Sequence, residues 1–289
     1  MKTIFCIIVN YKTENIIKKA IESLKENSIN LKIIILDNET TKESYKQLQK
    51  IIDDRVEIIR SEENLGFAGG CNYAYRYIHN KYLDVNYIFL FNPDAEATEN
   101  LIGHLFNVML TDSNMAAISP HIVTMNNDDW FIGTMIDWKN CKIINNPEVK
   151  NSNQLRTIDI FNGCAVLMDA RKFSEVGMFD DELFLYYDEA FLSMRFMKKG
   201  YSIYYMPTVK AYHHVSYSVG ENSPFKTYYM TRNHIYFFVK YLKKSSSFLC
   251  PHKVPFIKSL YFMKRLDFLN LHANLIALYH TFIQKKGIR

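Results

Sequence analysis

Residues 3–9 of the chain read Thr-Ile-Phe-Cys-Ile-Ile-Val and form an almost continuous apolar run close to the N-terminus. A strand that is buried on both faces of a parallel sheet has this pattern, whereas a half-buried strand alternates apolar and polar residues. The run is followed by an amphipathic stretch, in which Thr13 is placed to cap a helix whose apolar residues recur at helical spacing up to Leu24. The order strand and then helix is the first half of a βαβ unit.

The same alternation continues through the first 120 residues. Further strands are predicted at Leu31–Leu36, Val56–Arg60 and Tyr87–Phe91, and helices at about Thr41–Ile52 and Cys71–Asn80. Repeated βα units predict a parallel sheet that is covered by helices on both faces. The later predictions are a loop or irregular hairpin at Thr124–Leu155 anchored by Trp130 and Trp138, strand Phe161–Met168, helix Asp188–Lys199, strands Tyr201–Met206 and Val209–His213, and a helical tail split near Ser245–Pro255.

The composition is that of a globular protein. The chain has 289 residues and a mass of 34.1 kDa, with 48% apolar and 22% charged residues, which excludes global disorder. No apolar run reaches the ~18 residues that a membrane span needs, and the N-terminus shows no signal-peptide cleavage pattern. The five cysteines are scattered without a CxxC pair. We therefore expect no zinc site and no disulfide framework, and a reducing cytoplasm as the location.

Charge is distributed unevenly along the chain. The net charge is +5, but the segment from Lys226 to Arg289 carries 12 lysines and arginines and a single acid, Asp267, so that it holds +11 and the rest holds −6. Basic segments of this kind bind phospholipid or nucleic acid, and the alternative is a solvated helical tail. No nucleic-acid-binding motif accompanies the charge, so a nucleic-acid partner is not expected.

A glycine-rich stretch lies between a predicted strand and a predicted helix. Residues 64–72 read Asn-Leu-Gly-Phe-Ala-Gly-Gly-Cys-Asn, and their glycines leave backbone N–H groups uncovered for a phosphate or sugar oxygen. The stretch matches neither the Walker loop nor the dinucleotide fingerprint. A tight structural turn is the alternative.

Two acids follow predicted buried strands. Asp37 comes after Leu31–Leu36, and Asp94 closes Asn92-Pro93-Asp94 after Tyr87–Phe91. Ligands of such sheets bind outside the carboxyl ends of the strands, so both side chains are expected to line one crevice. Asp94 suits a divalent cation that shares substrate phosphates, and an Asx-turn is the alternative.

Two further pairs carry titratable groups. Asp188 and Glu189 open a helix, where two acids either complement the helix dipole or supply a general base that faces a substrate. His213 and His214 follow a strand, and one of them either binds a metal or has a structural role.

Taken in order, these pieces resemble the family-2 glycosyltransferases of the GT-A fold, and within them the rhamnosyltransferase-type branch. The matching stretches run in family order over about 230 residues and are Val9–Tyr11, Leu36–Asn38, Asn64–Asn72, Phe91–Asp94, Asn162–Ala165, Val176–Asp180, Tyr186–Arg195, His213–Ser218 and Arg232-Asn233. The resemblance implies an α/β fold with a GT-A type, Rossmann-like, mostly parallel central sheet. It implies a catalytic domain at 1–222, with a nucleotide-sugar half at about 1–120 and an acceptor half at about 121–222, and a helical basic segment at 223–289.

The resemblance also implies donor-binding residues. Asp37 matches the acid that contacts the nucleobase or ribose, and Asn10 and Tyr11 are expected beside the base. Arg232 and Asn233 match a pair near the donor phosphates or the acceptor. The remaining positions implied for donor binding are Asn64, Gly66, Phe67, Asn72 and Asn92.

The metal and the base are implied in the same way. Asp94 and His213 match the ligands of a Mg²⁺ or Mn²⁺ ion, with His214 as the reserve. The acidic pair of the family is reversed here, so that Glu189 inherits the catalytic base and Asp188 is the reserve. Phe191 stands where the family commonly has another Asp.

The function expected from the resemblance is that of an inverting, metal-dependent glycosyltransferase. Its donor would be dTDP-rhamnose or, second, a UDP-hexose, and its acceptor a saccharide, lipid-linked, of surface polysaccharide biosynthesis. The enzyme would be cytoplasmic, with peripheral contact at the inner face of the cell membrane through its basic tail. The tail could equally be a helical lid with contacts in a homodimer. The alternative function is a catalytically silent nucleotide-sugar-binding or scaffold subunit. A nucleotidyltransferase could share the sheet order, but the region of Glu189 and His213 favours sugar transfer.

Overall fold

The computed structural model describes residues 2–51, 53–146, 153–214, 223–242, 250–285 and 287, which form a mixed α/β structure. The strands are β1 (Thr3–Asn10), β2 (Asn30–Asn38), β3 (Val56–Ser61), β4 (Tyr87–Phe91), β5 (Ala95–Ala97), β6 (Met115–Thr124), β7 (Asp129–Phe131), β8 (Thr134–Asp137), β9 (Lys142–Asn145), β10 (Arg156–Thr157), β11 (Ala165–Asp169) and β12 (Ser202–His213). The helices are α1 (Ile17–Ser23), α2 (Lys42–Gln49), α3 (Gly66–Lys81), α4 (Leu101–Met109), α5 (Ala170–Glu175), α6 (Asp188–Lys198), α7 (Pro224–Tyr241), α8 (Cys250–Lys264) and α9 (Phe268–Phe282).

The central sheet has ten strands, and its main path runs β10-β12-β6-β11-β4-β1-β2-β3. β1 is parallel to β2 and β4, and β2 is parallel to β3. β11 is antiparallel to both β4 and β6, while β6 and β12 are parallel to each other. From β3 to β12 every strand except β11 therefore runs in one direction, and the predicted largely parallel α/β sheet is confirmed.

The core lies along the central strands. Ile4 to Ile8 of β1 are at most 2% exposed, and so are Ile88 to Phe91 of β4. Burial of one large apolar side chain contributes roughly 1.5–3 kcal/mol, so these strands are strongly specified by their sequence. Both the continuous apolar run at the N-terminus and the bounds of the strand Tyr87–Phe91 are confirmed.

Two predicted helix starts are wrong. The Thr13 hydroxyl donates to Asn10 Oδ1 at 2.6 Å and caps no helix, because α1 begins only at Ile17, after a turn in which the Thr13 carbonyl accepts the Ile17 N–H. The glycine-rich stretch is not a turn before a helix, because α3 already begins at Gly66. Gly70 lies inside α3, where a Cβ would come within 2.9 Å of Val9 Cγ1, so the glycine allows the helix to pack closely on β1.

Three later boundaries also differ from the predictions. β11 begins only at Ala165, because Asn162 Oδ1 accepts the Cys164 N–H and holds residues 162–164 in a turn. The two strands predicted at 201–213 are one strand, β12, with an irregular register between Met206 and Lys210. Residues 245–249 of the predicted break lie outside the described residues. The rest of that break is helical. Pro251 lies in the first turn of α8, where an N–H has no intrahelical partner, whereas Pro255 lies inside the helix and removes one backbone hydrogen bond.

Helix α7 is buried on nearly all sides between the sheet domain and the last two helices. Tyr228, Tyr229, Phe237 and Phe238 are 0% exposed, and Phe237 stacks on Trp138 with ring centroids 6.2 Å apart. These four aromatic side chains of the basic tail therefore do not contribute to the expected membrane contact, because Tyr228 and Tyr229 pack against α9 and Phe237 and Phe238 pack beside Phe191 and Trp138. Residue 222 of the predicted domain boundary, Lys243 and Lys244 of the basic tail, and residues 215–218 of the family match lie outside the described residues.

Cys141 and Cys250 form a disulfide, with their Cα atoms 6.0 Å apart. The bond joins the loop between β8 and β9 to the first residue of α8. The expectation that the cysteines form no disulfide is wrong in this instance, because the partners are 109 residues apart and only the fold brings them together. Cys6, Cys71 and Cys164 are free and buried.

We expect the double variant Cys141→Ser, Cys250→Ser to lose roughly 2–5 kcal/mol of unfolding free energy, because the disulfide restricts the unfolded chain. Denaturant unfolding with and without dithiothreitol checks this. The reductant should lower the stability of the unmodified protein and leave the double variant unchanged. Equal stability of the unmodified protein in both conditions would contradict the prediction.

Candidate active site

A cavity of about 370 Å³ opens at the carboxyl ends of β1, β2 and β4. This is the edge at which parallel α/β sheets bind ligands. Its wall is formed by Val9, Tyr11, Thr13, Asn38, Asn64, Gly66, Phe67, Asn92, Pro93, Asp94, Trp130, Asn162, Gly163, Cys164, Phe184, Leu185, Tyr186, Asp188, Glu189, His213, Phe225 and Lys226. The wall thus combines residues of the N-terminal strands, the acidic helix α6 and the first turn of α7.

Asp94 and His213 form a buried pair in this wall. Their side chains meet at 3.3 Å between Oδ1 and Nε2, and the Asn92 amide nitrogen lies 3.5 Å from the same Nε2. His214 points elsewhere, because its Nε2 lies 2.9 Å from Glu96 Oε1. Of the two histidines, the structure therefore brings His213 to Asp94, as the sequence predicted, and leaves the reserve outside the cavity.

The Asp94–His213 pair fits a divalent cation that is shared with a substrate. Mg²⁺ is commonly held by one or two carboxylates together with substrate phosphates, so a complete cage of protein ligands is not required. Among the described residues no cluster of three or more His, Cys, Asp or Glu could hold a metal. His213 Nδ1 is buried with no hydrogen-bond partner among the described residues, so no neighbouring acceptor fixes the tautomer in which Nε2 is the free ligand nitrogen.

Asp188 and Glu189 face the cavity from the first turn of α6, but in different environments. Asp188 is 2% exposed and its Oδ2 accepts no hydrogen bond from the described residues. Burial, and then the neighbouring charge of Glu189, raise the pKa of Asp188 well above its ordinary value. Glu189 is half-buried, and its Oε1 lies 3.4 Å from the Gly163 N–H. Because Asp188 is buried and Glu189 is only half-buried in the cavity wall, Glu189 is the more accessible proton acceptor.

The raised pKa of Asp188 makes the stability of the protein depend on pH. The neutral carboxyl is favoured in the folded state, so its contribution is complete below the unfolded pKa of about 3.9 and is lost as pH rises through the raised folded pKa. As pH rises from acidic to mildly alkaline values, we expect the free energy of unfolding to fall less in Asp188→Asn than in the unmodified protein. Denaturant unfolding over a pH series checks this, with the exposed Asp181→Asn as control. Parallel curves for Asp188→Asn and the unmodified protein would refute it.

The segment before α6 has an unusual backbone. Phe184, Tyr186 and Tyr187 all lie in the left-handed region with φ of 67°, 66° and 67°. Asn233 Nδ2, on buried α7, lies within hydrogen-bond distance of the carbonyls of Leu183, Leu185 and Tyr186, at 2.9–3.1 Å. Such backbone conformations persist only where the surroundings impose them.

Arg232 lies next to this contact. Its guanidinium donates to the carbonyls of Leu183 at 2.8 Å and Gly287 at 2.6 Å, and the side chain is 0% exposed. Its Nε donates to Asn233 Oδ1 at 2.9 Å, so the predicted donor-binding residue Arg232 points away from the cavity and is paired with the protein's own backbone and side chains. Arg232 and Asn233 instead hold the segment that presents the two acids.

Gly66, the first residue of α3, contacts the segment 184–187 on the side opposite to α7. The Phe67 N–H donates to the Phe184 carbonyl at 3.1 Å, and a Cβ on Gly66 would lie 2.0 Å from that carbonyl oxygen. Gly66 also has a φ of +68°, which side chains rarely adopt. The glycine is thus required by a close approach between α3 and the segment before the acidic pair.

We expect Gly66→Ala to displace the segment 184–187, and with it Asp188 and Glu189, because the new methyl group cannot share space with the Phe184 carbonyl. Gly200→Ala is a matched control, since Gly200 also has a positive φ of +82° but no atom within 4 Å of its Cβ position. Thermal unfolding and nucleotide binding measure the difference. Gly200→Ala should lose only about 1 kcal/mol, from backbone strain, and an equal effect of the two variants would contradict the role of the contact.

Several predicted donor-binding residues lie in the cavity wall. Tyr11, Gly66 and Phe67 are among them, and so is Asn64, whose Oδ1 accepts from Asn38 Nδ2 at 3.1 Å. Asn92 lies there too, beside His213. The structure therefore brings these predicted positions together in one cavity wall.

Three other predicted positions do not reach the cavity. Asn72 is 1% exposed, and its amide bonds both the N–H and the carbonyl of Phe179 at 3.0 Å. Asn10 is 0% exposed and accepts from Thr13. Asp37 is also 0% exposed and is outside the wall, so the prediction that it lines one crevice with Asp94 is wrong.

Asp37 is held by its own neighbours. Its carboxylate accepts from the Thr40 hydroxyl and lies 3.3 Å from Arg60 Nε, while burial raises its pKa. The next residue, Asn38, takes its place in the cavity wall. Because successive residues of a strand point to opposite faces, a position at the strand end does not decide which of the two faces a ligand.

Among the wall residues that were not predicted for the site, three carry groups that can contact a substrate, namely Lys226, Trp130 and Tyr186. Lys226 lies in the first turn of α7, whose cap is the Ser223 hydroxyl, and the Ser-Pro pair at 223–224 is a signal for this helix start. Trp130 is 39% exposed, with its ring centroid 5.6 Å from that of His213. Burial and the nearby Asp188 and Glu189 raise the pKa of Tyr186 to about 12, so its hydroxyl remains a donor.

The central sheet and the cavity define a glycosyltransferase-type GT-A fold, and solved structures share it. A structure of GalNAc-T7 with UDP, GalNAc and Mn²⁺ aligns with a TM-score of 0.65 at 14% identity, over 82% of this chain and 47% of that one. The mannosyltransferase PcManGT from Pyrobaculum calidifontis, in complex with GDP-Man and Mn²⁺, aligns with a TM-score of 0.61 at 14% identity, over 97% of this chain and 75% of that one.

The family model of glycosyl transferase family 2 matches residues 5–177, and the chain belongs to this family. A curated relative is the low-salt glycan biosynthesis hexosyltransferase Agl10 of Haloferax volcanii, which is 26% identical over 212 residues. The match covers 72% of this chain and 66% of the relative. The chain thus spans just under two thirds of that relative and about half of the GalNAc-T7 chain.

Proposed function

We propose that the protein is an inverting, metal-dependent glycosyltransferase that moves a hexose or deoxyhexose from a nucleoside-diphosphate sugar to a saccharide. The observation that carries this proposal is that one turn links the pair Asp94–His213 to Glu189. The Cys164 carbonyl accepts from the Asn92 N–H at 2.9 Å, and the Gly163 N–H lies 3.4 Å from Glu189 Oε1. A cation site and a proton acceptor are thereby held in the wall of the same cavity.

The donor diphosphate would be bound by positive charge in this wall. Asp94 and His213 would hold the Mg²⁺ or Mn²⁺, with Asn92 beside them. When bound, that cation offsets charge on the leaving diphosphate. Lys226 and the N-terminal end of α7 add fixed positive charge on another side of the cavity. Lys226 would thus serve the role that the sequence assigned to Arg232.

The transfer would be a single displacement. The acceptor hydroxyl loses its proton to the Glu189 carboxylate as its oxygen forms a bond to the anomeric carbon. The bond from that carbon to the diphosphate oxygen breaks, and the electron pair leaves with the nucleoside diphosphate. One displacement inverts the anomeric centre, and no covalent intermediate is involved. Trp130 offers an aromatic face to a sugar ring in the cavity.

For the donor we propose dTDP-rhamnose first, on the resemblance to the rhamnosyltransferase-type branch, and a UDP-hexose second. The hexosyltransferase name of the Haloferax volcanii relative favours a hexose. For the acceptor we propose a saccharide on a lipid carrier, in surface polysaccharide biosynthesis, with the enzyme at the inner face of the cell membrane. The basic C-terminal segment supports this acceptor.

We expect the purified protein to release nucleoside diphosphate from one donor in a panel of UDP-, dTDP- and GDP-sugars. EDTA should abolish this release. Glu189→Gln should lower turnover by roughly 10²–10⁴-fold, because it removes the proton acceptor, and should retain donor binding measured by calorimetry. Asp94→Asn should weaken donor binding in the presence of Mn²⁺. The exposed Glu62→Gln is the control and should behave like the unmodified protein.

Two results would overturn parts of this proposal. Full turnover by Glu189→Gln would show that the base is another group. Donor binding without any turnover, in the presence of lipid-linked and free saccharide acceptors, would favour a catalytically silent binding subunit.

A further inference from the structure

Helix α8 has the reverse of the usual distribution of apolar residues. Its inner face carries Pro255 and Ser259, whereas Phe256, Leu260 and Tyr261 are 62%, 48% and 52% exposed. A helix on the surface of a globular protein normally buries its large apolar side chains and exposes polar ones. These exposed side chains of α8 are therefore largely unused in the packing of the fold.

The exposed residues of α8 lie on one face. They recur at intervals of three and four residues, with a lysine at each end of the row. The residues of the row are Lys253, Phe256, Ile257, Leu260, Tyr261 and Lys264. Residues at this spacing are neighbours on a helix surface. The face is thus a continuous apolar stripe that ends in positive charge on both sides.

Helix α9 repeats the arrangement. Phe268, Leu275, Tyr279 and Phe282 are 66%, 50%, 60% and 86% exposed. The buried residues of this helix are all small or polar, namely Asn270, Ala273, Asn274 and Ala277. Large apolar side chains again point outward, while small ones allow close approach inside.

Polar contacts hold the inner faces of the two helices together. Asn274 Nδ2 on α9 donates to the Pro255 carbonyl at 2.9 Å and to Ser259 Oγ at 2.8 Å on α8, and the Thr231 hydroxyl of α7 donates to Asn274 Oδ1 at 2.6 Å. Leu266, in the link between the helices, is 71% exposed. An exposed apolar surface of this extent marks an interaction site.

The rim of this surface is positively charged. Lys253, Lys264, Arg265 and Lys285 border it, and all of them are exposed. The single acid of the segment, Asp267, is turned inward to cap α9, where its Oδ1 accepts the Asn270 N–H at 3.1 Å. Apolar side chains within a cationic rim are the combination that binds anionic lipid headgroups and the acyl region below them.

We propose that the outer face of α8 and α9 docks on an anionic phospholipid surface. Each helix has 15 residues and is thus about 22 Å long at 1.5 Å per residue. No helix in the described part of the chain is long and apolar enough to cross a membrane. The pair therefore lies in the plane of the interface, with Tyr261 and Tyr279 at headgroup depth. The docking does not depend on the transfer reaction.

Charge favours lipid over a second copy of the chain. A two-fold contact through this face would bring two cationic rims together, and Asp267 is occupied as a cap in each copy. Anionic headgroups neutralise the same rim. The occupant that complements both the apolar stripe and its border is therefore the lipid surface.

Vesicle co-sedimentation with the purified full chain tests the proposal. We expect binding to phosphatidylcholine vesicles that contain phosphatidylglycerol, and little binding to phosphatidylcholine alone. Phe256→Ser with Phe282→Ser should weaken the partition by about ten-fold or more, from the lost apolar burial. The control is Leu83→Ser with Leu110→Ser, which removes side chains that are 93% and 59% exposed elsewhere and should leave the partition unchanged.

The charge contribution has its own variants. Lys253→Glu with Lys264→Glu should weaken binding to the anionic vesicles. Lys42→Glu with Lys50→Glu, at exposed positions at the start of α2 and directly after its end, should have a smaller effect. In Phe256→Trp, emission of the new indole should be quenched by brominated lipid. Absence of binding by the unmodified protein, or equal loss in the Phe256/Phe282 and Leu83/Leu110 variants, would overturn the proposal. A dimer in solution that Phe256→Ser with Phe282→Ser dissociates, without vesicle binding, would assign the face to self-association and also overturn it.

Discussion

The candidate site depends on the hydrogen bonds between Asn233 and the backbone that precedes α6. Positive φ angles at Phe184, Tyr186 and Tyr187 each cost of order 1–3 kcal/mol, and no glycine relieves them. One buried amide on α7 satisfies carbonyls of this segment, and Gly66 accommodates it from the opposite side. Helix α7 is therefore a structural part of the site, although it lies beyond residues 5–177 that match the family model.

The packing of α7 against the acidic helix α6 also explains one departure of this chain from the family pattern. Phe191, where an acid is common in the family, packs on Phe237 of α7 with ring centroids 5.4 Å apart. Burial of a carboxylate among these aromatic rings would be costly unless it paired with Lys240, whose Nζ lies 5.2 Å from the centroid of the Phe191 ring. Phe191, next to the reversed pair Asp188-Glu189, thus provides the apolar surface on which α7 covers the acidic helix.

Much of the fold was predictable because its information is local. Buried strands such as β1 and β4 are continuous apolar runs, and the positions of Asp94, His213 and Glu189 followed from the ends of such elements. The direction in which a side chain points was not predictable. Asp37 and Asn38 are adjacent on one strand, yet only Asn38 faces the cavity. Arg232 and Lys226 lie on the same helix, α7. Because α7 is buried on nearly all sides, which its sequence pattern does not predict, the Arg232 side chain lies in the core.

The Cys141–Cys250 bond has a consequence for geometry at a surface. It fixes the first residue of α8 to the loop between β8 and β9, while Asn274 joins α9 to both α7 and α8. These contacts attach the last two helices to α7 and to the part of the chain that carries the cavity. With the proposed docking, the disulfide and these hydrogen bonds would fix the distance between the membrane surface and the Glu189 carboxylate. Only an acceptor whose sugar chain spans that distance would then bring its hydroxyl to the carboxylate. Acceptor length would thus be selected by this distance rather than by contacts with each sugar.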